Sequence, residues 1–312
     1  DDQFLWIGAR LYMEDAAKIF TVSKKRDEEL SDNDAFGIIL DTYDDNENGL
    51  AFFTTPTGLR TDYTISNDAT QNGGGGKGSS INYNWNTFWD VKTTRDDRGW
   101  FVEMRIPFSS MKFKSVNEVT VMGLIISRNI SANNETDTYP AIDPRYGNMS
   151  TSKPSQALTI TIEGARPTRP LYLSPYLLGG FSRGWSLSED ETGYVMEDEP
   201  QYNAGLDIKY NINSNLTLDL TANTDFAQVE ADDQKINLTR FSLYFPEKRT
   251  FFQERSSIFN FSFEGRSNVF YSRQIGLNKG EQVPIIGGGR ITGMAGKWDI
   301  GFMDLQTQSF DP

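Results

Sequence analysis

A strict alternation of apolar and polar residues over residues 203–223 is the feature that most constrains the fold. In "NAGLDIKYNI" (203–212) and "LTLDLTAN" (216–223), every even-numbered residue is apolar and every odd-numbered residue is polar or glycine. A period of two places these residues on opposite faces of β-strands, and the intervening "NSN" is short enough for a tight turn. Strands of soluble sandwiches and strands of outer-membrane β-barrels both alternate in this way, so the pattern alone leaves both folds open.

The composition excludes several classes of function. The 312 residues include no cysteine and no histidine, which excludes thiol nucleophiles, disulfides, the usual structural zinc sites and histidine-dependent acid–base catalysis. The formal net charge is −13, whereas nucleic-acid binding depends on lysine and arginine that displace counterions from phosphates. We therefore predict no nucleic-acid partner. No run of roughly 18 or more apolar residues occurs, so no membrane-spanning helix is predicted.

The first half of the chain predicts an all-β sandwich. Short apolar or alternating segments are separated by turn signals about every ten residues, as in known sandwiches. The predicted strands are 4–13, 35–43, 50–55, 59–65, 88–94, 99–106 and 119–131. The proline-rich segment "EGARPTRP" (163–170) marks a domain boundary. We therefore divide the chain into a β-sandwich over 1–163, a linker over 164–170 and a second β-domain over 171–312.

The second half is predicted to hold strands of an antiparallel barrel. "LYLSPYLLGGF" (171–181) alternates less regularly than 203–223, and "SRGWSLSEDETGYVMEDEPQ" (182–201) is predicted to be a long acidic loop. Long loops at one end of the strands and short turns at the other are typical of outer-membrane barrels. Further strands are predicted at 285–294 and 298–307, and a change in apolar parity near Met303 indicates a bulge.

Aromatic residues near a glycine-rich loop are the candidate ligand-binding residues of the sandwich. Aromatic faces pack against the C–H faces of sugar rings, and a few polar groups then fix the hydroxyls. The candidates are Trp85, Trp89, Tyr43 and Tyr63 for ring packing and Asp41, Asn84 and Asp90 for hydrogen bonds. The alternative is that the tryptophans belong to the sandwich core, which is the role that we expect for Trp100.

The turn "DDNENG" (44–49) begins like a calcium-binding loop. Asp44, Asn46 and Asn48 stand at the first ligand positions, so Ca²⁺ is the one candidate cofactor. The twelfth position is Thr55, where such a loop needs a bidentate glutamate, and Asn48-Gly49 is a strong hairpin signal. The pattern therefore favours a plain hairpin turn.

A long segment dense in charges and aromatics follows the alternating hairpin. Within "FSLYFPEKRTFF" (241–252), the aromatic residues predicted to lie at a membrane interface or to fold into a polar lumen are Phe241, Tyr244, Phe245, Phe251 and Phe252. The alternative is a crossover whose charges are solvated or paired. Glu230, Asp232 and Asp233 could pose as a glycosidase carboxylate pair, but adjacent acids on one loop seldom face a substrate from two sides.

Several segments resemble a bacterial family with two parts. "LDLTANTDFAQVEADDQKINLTRFSLYFPEKRTFFQE", "FYSRQIG" and "VPIIGGGRITGMAGKWDIGF" resemble its outer-membrane β-barrel of unassigned function. "LWIGARLY", "FGIILDTYDDNENG", "GWFVEMRIPFSSMKF" and "VMGLIISRNI" are similar to its N-terminal domain, which is like the family 9 carbohydrate-binding modules. Members of that family are longer, so we expect a piece of a longer protein, cut at both ends. About five barrel-type strands cannot close a barrel, since the smallest need about eight.

The resemblance implies a function at the bacterial cell envelope. It implies glycan or polymer binding at the outer membrane, coupled to a barrel that passes or holds the ligand. The implied partners are a glycan, the lipid bilayer and outer-membrane proteins. Two alternatives stay open: a carboxylate-based glycoside hydrolase, which needs two acids converging in one cleft, and a structural or secretion-related barrel whose sandwich is a plug or assembly domain.

Overall fold

The fold is built almost entirely from antiparallel β-strands. The computed structural model describes residues 1–22, 25–27, 30, 32–70, 80–147, 149–166, 171–188, 192–213, 216–224, 247, 249–253, 256–259, 262–263, 267–278, 281–295 and 298–309. The strands of the first half are β1 (Phe4–Tyr12), β2 (Ala35–Asp41), β3 (Gly49–Thr54), β4 (Arg60–Ile65), β5 (Ile81–Asn82), β6 (Asp90–Asp96), β7 (Gly99–Pro107), β8 (Ser115–Val116), β9 (Val119–Ile130), β10 (Glu135–Tyr139) and β11 (Leu158–Glu163).

These strands form two sheets that face one another. One sheet has three strands in the order β1-β7-β6. The other has eight strands, with β10-β9-β2-β3-β4-β5 as its path and with β11 and β8 also pairing with β9. Two facing sheets with a shared core are the sandwich that the sequence predicts for this half.

The core lies between the two sheets because the strands alternate. On β7, Trp100, Val102, Met104 and Ile106 point inward and are almost fully buried, while the residues between them point outward. They pack in one cluster with residues of the larger sheet such as Phe52. Trp100 therefore has the core role that the sequence predicts.

The second half forms a five-stranded sheet and smaller elements. Its strands are β12 (Leu171–Leu187), β13 (Tyr194–Asn211), β14 (Leu216–Ala222), β15 (Ser262–Phe263), β16 (Ser267–Asn268), β17 (Leu277–Asn278), β18 (Glu281–Gln282), β19 (Ile285–Ala295) and β20 (Trp298–Thr307), with a short helix α1 (Thr250–Gln253) before β15. The large sheet has the order β12-β13-β14-β19-β20. Within the described residues it ends at β12 and β20 and does not close on itself.

Short 3₁₀ turns connect the strands. They lie at Ala16–Lys18, Asn67–Ala69, Phe108–Ser110, Ser131–Asn133, Pro144–Tyr146, Ser150–Ser152, Pro154–Gln156, Ser256–Phe259 and Ser272–Gln274. None of the described helices has the length and apolarity needed to cross a bilayer.

The prediction of a long acidic loop at 182–201 is wrong. Strands β12 and β13 continue through most of it and pair in register from Leu171↔Tyr210 to Leu187↔Tyr194. Near the end of this hairpin, Arg183 and Asp198 face each other across the strands with nitrogen and oxygen 2.6 Å apart. Backbone pairing and this cross-strand ion pair stabilise the two strands here, although the many acidic residues of the segment predicted a loop.

The bulge predicted near Met303 also differs from the structure. The pairing of β19 with β20 shifts between Ile285 and Gly287, so the irregularity lies on β19 rather than on β20. The apolar positions of β20 change from even to odd at Met303 and Leu305, because these two side chains pack with Ile285 in a small apolar cluster on the other face of the sheet.

The five-stranded sheet has one apolar and one polar face. An apolar row crosses all five strands through Leu171, Tyr210, Leu218, Ile291 and Phe302. The next row on the opposite face is Tyr172, Lys209, Asp219, Arg290 and Met303. The polar face is turned toward the sandwich, and the apolar face is turned away from it.

Candidate functional site

A cavity of about 440 Å³ lies between the sandwich and the polar face of the five-stranded sheet. On one side are residues that follow β2 and precede β6, together with the turn after β7. On the other side are residues of β12, β13 and β14. The cavity is therefore built from both halves of the chain, and it is our candidate functional site.

The segment 85–89 forms the aromatic wall on the sandwich side. Trp85 and Trp89 both meet Phe52 edge-on, with ring centroids 6.2 and 5.6 Å apart. The backbone N–H of Thr87 donates to the Asp62 carboxylate at 2.7 Å. Because these contacts fix both ends and the middle of the segment, Phe88 points outward and 73% of its surface is exposed beside the cavity.

Tyr172 on β12 meets this wall from the other side. Its ring lies nearly parallel to that of Phe88, with an interplanar angle of 17° and centroids 6.4 Å apart. The Tyr172 hydroxyl donates to the Ser109 carbonyl at 3.3 Å, and the Lys112 ammonium donates to the hydroxyl of Thr217 on β14. These contacts hold the two walls of the cavity together.

Charged residues of the polar face line the opposite wall. Lys209 of β13 lies directly across from Asp219 of β14. The Arg290 guanidinium donates to the Asp219 carboxylate at 2.8 Å, and Thr221 donates its hydroxyl proton to Asp207 at 2.6 Å. A ligand in this cavity would meet one aromatic ring on each wall, Phe88 and Tyr172, and a network of charged and hydroxyl groups on the polar face.

Two of the seven predicted ligand residues, Tyr43 and Trp85, line the cavity. Trp89 is only 2% exposed, and its indole N–H donates to buried Asp62 at 3.3 Å. The alternative role predicted for the tryptophans, packing the sandwich core, therefore describes Trp89. Trp85 does both, since its ring belongs to the core cluster and also borders the cavity.

The remaining predicted ligand residues lie elsewhere. Tyr63 is buried against Phe53, with ring centroids 5.8 Å apart, and burial raises the pKa of its hydroxyl. Asn84 lies outside the cavity lining, and its amide donates to the Glu247 carbonyl at 3.4 Å. Asp90 pairs with Arg105 on the outer surface of the three-stranded sheet. None of the three faces the cavity.

Asp41 organises the turn after β2. Its carboxylate accepts the backbone N–H groups of Tyr43, Asp45 and Asn46 at 3.3, 3.2 and 2.8 Å. Burial raises the pKa of Asp41 to about 6, although these hydrogen bonds oppose the shift. The side chain therefore stabilises the turn next to the cavity without reaching into it.

The predicted calcium ligands do not converge. Asp45 accepts the N–H groups of Glu47 and Asn48 at 2.9 and 2.8 Å, and the Asn48 amide also donates to it at 2.8 Å. Asp44 and Asn46 adopt positive φ angles of 54° and 61° and point outward. Nowhere in the described part of the chain do three or more acidic side chains form a possible metal group. The turn has the hairpin structure that the sequence favours.

The aromatic residues predicted at a membrane interface fall into two groups. Phe241, Tyr244 and Phe245 lie outside the described residues. Phe251 and Phe252 are buried with Ile285, at the polar face of the five-stranded sheet, so the structure does not expose them at an interface. Their apolar rings find a shared cluster here, and Arg249 lies over the ring of Phe252 at 4.2 Å.

Two carboxylates that the hydrolase alternative could use line the cavity. Asp207 and Asp219 both line it, yet Thr221 donates to the first and Arg290 pairs with the second. Both carboxylates therefore already have a partner within the sheet. Glu230, Asp232 and Asp233 lie outside the described residues.

Four residues that line the cavity were not identified from the sequence. Phe88, Lys112, Tyr172 and Lys209 lie on different elements and carry no shared motif. The parity of β12 was the one available signal, because Tyr172 occupies the face opposite to Leu171 and Leu173.

Comparisons with known proteins found two kinds of similarity. A family described as a domain of unknown function (DUF5916) matches residues 166–286. A family 9 carbohydrate-binding module from Caldicellulosiruptor kristjanssonii in complex with cellotriose is 20% identical, with a TM-score of 0.34 over 53% of this chain and 72% of that one. A family 9 module from the same organism in complex with glucose is also 20% identical, with a TM-score of 0.33 over 52% of this chain and 71% of that one.

TM-scores at this level do not establish a shared fold, and the ligands belong to those two structures. Family 9 modules are the family that the N-terminal motifs resemble. No curated protein sequence matches the chain.

Proposed function

We propose that the protein binds a carbohydrate in the cavity between the sandwich and the five-stranded sheet. The observation that carries this proposal is the pairing of two aromatic rings with charged and hydroxyl groups around one cavity of about 440 Å³. Sugar rings have apolar C–H faces and polar edges, so they suit a site that combines aromatic rings with hydrogen-bonding groups.

Phe88→Ala is expected to weaken sugar binding by about tenfold or more, which corresponds to about 1.4 kcal/mol. The ring is mostly exposed, so its loss removes ligand contact and leaves the core intact. The test is a glycan array with the full detergent-solubilised chain, followed by calorimetric titration with the oligosaccharide that binds. Phe20→Ala is the matched control, because Phe20 is also exposed but lies outside the cavity.

The other outcomes decide between the alternatives. A folded chain that binds no glycan would contradict the proposal and favour the structural plug. Equal binding by Phe88→Ala and the parent would place the sugar elsewhere. Shorter sugars released during incubation would move the protein to the hydrolase alternative.

We also propose that the apolar face of the five-stranded sheet lies in the lipid of the bacterial outer membrane, with the remaining barrel strands supplied by other parts of the protein. This face exposes large apolar side chains, whereas the opposite face is polar and is covered in part by the sandwich and in part by Phe251 and Phe252. The exposed residues include Leu171, Leu173, Leu177, Phe181, Trp185, Leu220, Trp298 and Phe302. Exposed apolar patches of this extent are rare on soluble proteins and are expected on the outside of a barrel.

Brominated acyl chains are expected to quench the fluorescence of Trp185 and Trp298 in reconstituted vesicles. The measurement compares quenching of the parent with that of a Trp185→Phe/Trp298→Phe variant, which should lose most of the effect. Trp6→Phe is the control, because Trp6 lies on the outer surface of the sandwich and its removal should leave lipid quenching unchanged. An absence of quenching in the parent would contradict the membrane location.

A further inference from the structure

The outer face of the three-stranded sheet carries a line of exposed aromatic residues away from the cavity. Because Leu5, Ile7, Ala9 and Leu11 of β1 point into the core, the residues between them point outward. We define the platform as Trp6, Gly8, Arg10 and Tyr12 of β1 with Phe101 and Glu103 of β7. None of these residues contributes to the cavity.

Both ends of the platform are aromatic. Trp6 is 55% exposed at one end, and Tyr12 is 63% exposed at the other, with Phe101 beside it. The indole N–H of Trp6 donates to Asp1 at 3.0 Å. The Arg10 guanidinium lies 3.5 Å from the ring centre of Phe101 and 5.1 Å from that of Tyr12. The side chains are thus held in place before any ligand arrives, which lowers the entropic cost of binding.

The middle of the platform is low and polar. A Cβ atom added at Gly8 would meet no atom within 4 Å, so the surface dips there. Glu103 lies directly across from Gly8 on β7, and Lys92 of β6 lies directly across from Glu103. Hydrogen-bonding groups therefore stand between the two aromatic ends.

The charges on this face balance one another. Arg10 donates two hydrogen bonds to Asp96, at 2.8 and 2.7 Å, and these lower the pKa of that carboxyl. Arg105 donates one hydrogen bond to Asp90. Together with the facing Lys92 and Glu103, the outward strand residues of this face comprise three cations and three anions. A ligand that fits it is uncharged and rich in hydroxyl groups.

The geometry points to a second glycan site: we propose that this platform binds a neutral, extended polysaccharide chain lying along β1. Trp6 and Tyr12 are six residues apart on one strand, so their Cα atoms are about 20 Å apart. That distance exceeds the size of one sugar ring and suits a chain of several sugars stacked at both ends. At a protein–protein interface the residues that contribute most to binding usually cluster at one packed centre, whereas the aromatic residues here lie at two separate ends. The platform rests on its own residues and is independent of the cavity.

Gly8→Arg tests the platform directly. The open space above Gly8 accepts a side chain without disturbing the strand, and an arginine there would block the dip. We expect co-sedimentation of the full detergent-solubilised chain with at least one of insoluble cellulose, mannan, xylan or chitin. Gly8→Arg should reduce the bound fraction by tenfold or more, whereas Gly8→Ala, which adds one methyl group, should bind like the parent.

A second pair of variants separates this site from the cavity. Trp6→Ala should weaken polymer binding, and Phe88→Ala, which alters the cavity, should leave it unchanged. Circular dichroism spectra of all variants confirm that they are folded. Parent-like sedimentation of Gly8→Arg, or a folded parent that sediments with none of the four polymers, would overturn the platform even if short sugars still bind in the cavity.

Discussion

Asp219→Leu is expected to destabilise the five-stranded sheet by about 3–5 kcal/mol, because it leaves a buried cation without its anion. Arg290 is fully buried, and its guanidinium is held by the Asp219 carboxylate at 2.8 Å. The arginine guanidinium stays protonated in proteins, so Arg290 keeps its positive charge when the carboxylate is removed. Lys209, directly across from Asp219, adds a second cation to the same site.

The measurement is urea unfolding of the detergent-solubilised chain, followed by tryptophan fluorescence. Thr292→Val is the matched control, because Thr292 is buried on the same face of β19 and its hydroxyl has no hydrogen-bond partner among the described residues. That variant should be neutral or slightly stabilising. Asp219→Leu combined with Arg290→Met should recover most of the loss. A single-variant loss below about 1 kcal/mol would show that other groups solvate Arg290.

Trp89→Ala is expected to cost about 3–5 kcal/mol of sandwich stability and to leave sugar affinity of the folded protein unchanged. The ring fills the core against Phe52, and its indole N–H donates to Asp62. Its removal leaves a cavity and one unfilled acceptor position on a buried carboxylate. Thermal unfolding gives the stability, and calorimetric titration of the folded protein gives the affinity.

Phe88→Ala provides the opposite pattern one residue away. It should lower the affinity and change the free energy of unfolding by about 0.5 kcal/mol or less, since most of the ring is exposed. If Trp89→Ala instead abolished sugar binding without loss of stability, Trp89 would contact the ligand and the core assignment would be wrong.

Seven of the eleven described strands of the sandwich could be predicted because each of these seven carries its own pattern, whereas the short strands β5 and β8 and the strands β10 and β11 were missed. Segments such as β2 and β7 are apolar or alternate, and short turns bound them, so local sequence was sufficient. The hairpin of β13 and β14 was predictable for the same reason. The outer halves of β12 and β13 were not, because their pairing depends on contacts such as Arg183 with Asp198 that no local pattern reveals.

The candidate site was only partly predictable. Trp85 and Tyr43 were identified because aromatic residues beside turns are typical of sugar sites, and both border the cavity. The same reasoning also selected Trp89 and Tyr63, which the fold buries, because composition does not show which way a ring points. Tyr172 was missed because its neighbours in the cavity come from the other half of the chain.

A cavity whose walls come from two units links its occupancy to their association. The described hydrogen bonds across it, such as Lys112 to Thr217, contribute about 1 kcal/mol each. A ligand at a hundred times its Kd would add about 2.7 kcal/mol to the docked arrangement that binds it. By thermodynamic reciprocity, pulling the sandwich from the sheet would lower the affinity by the same factor. A bound sugar would therefore stabilise the association of the sandwich with the sheet for as long as it occupies the cavity.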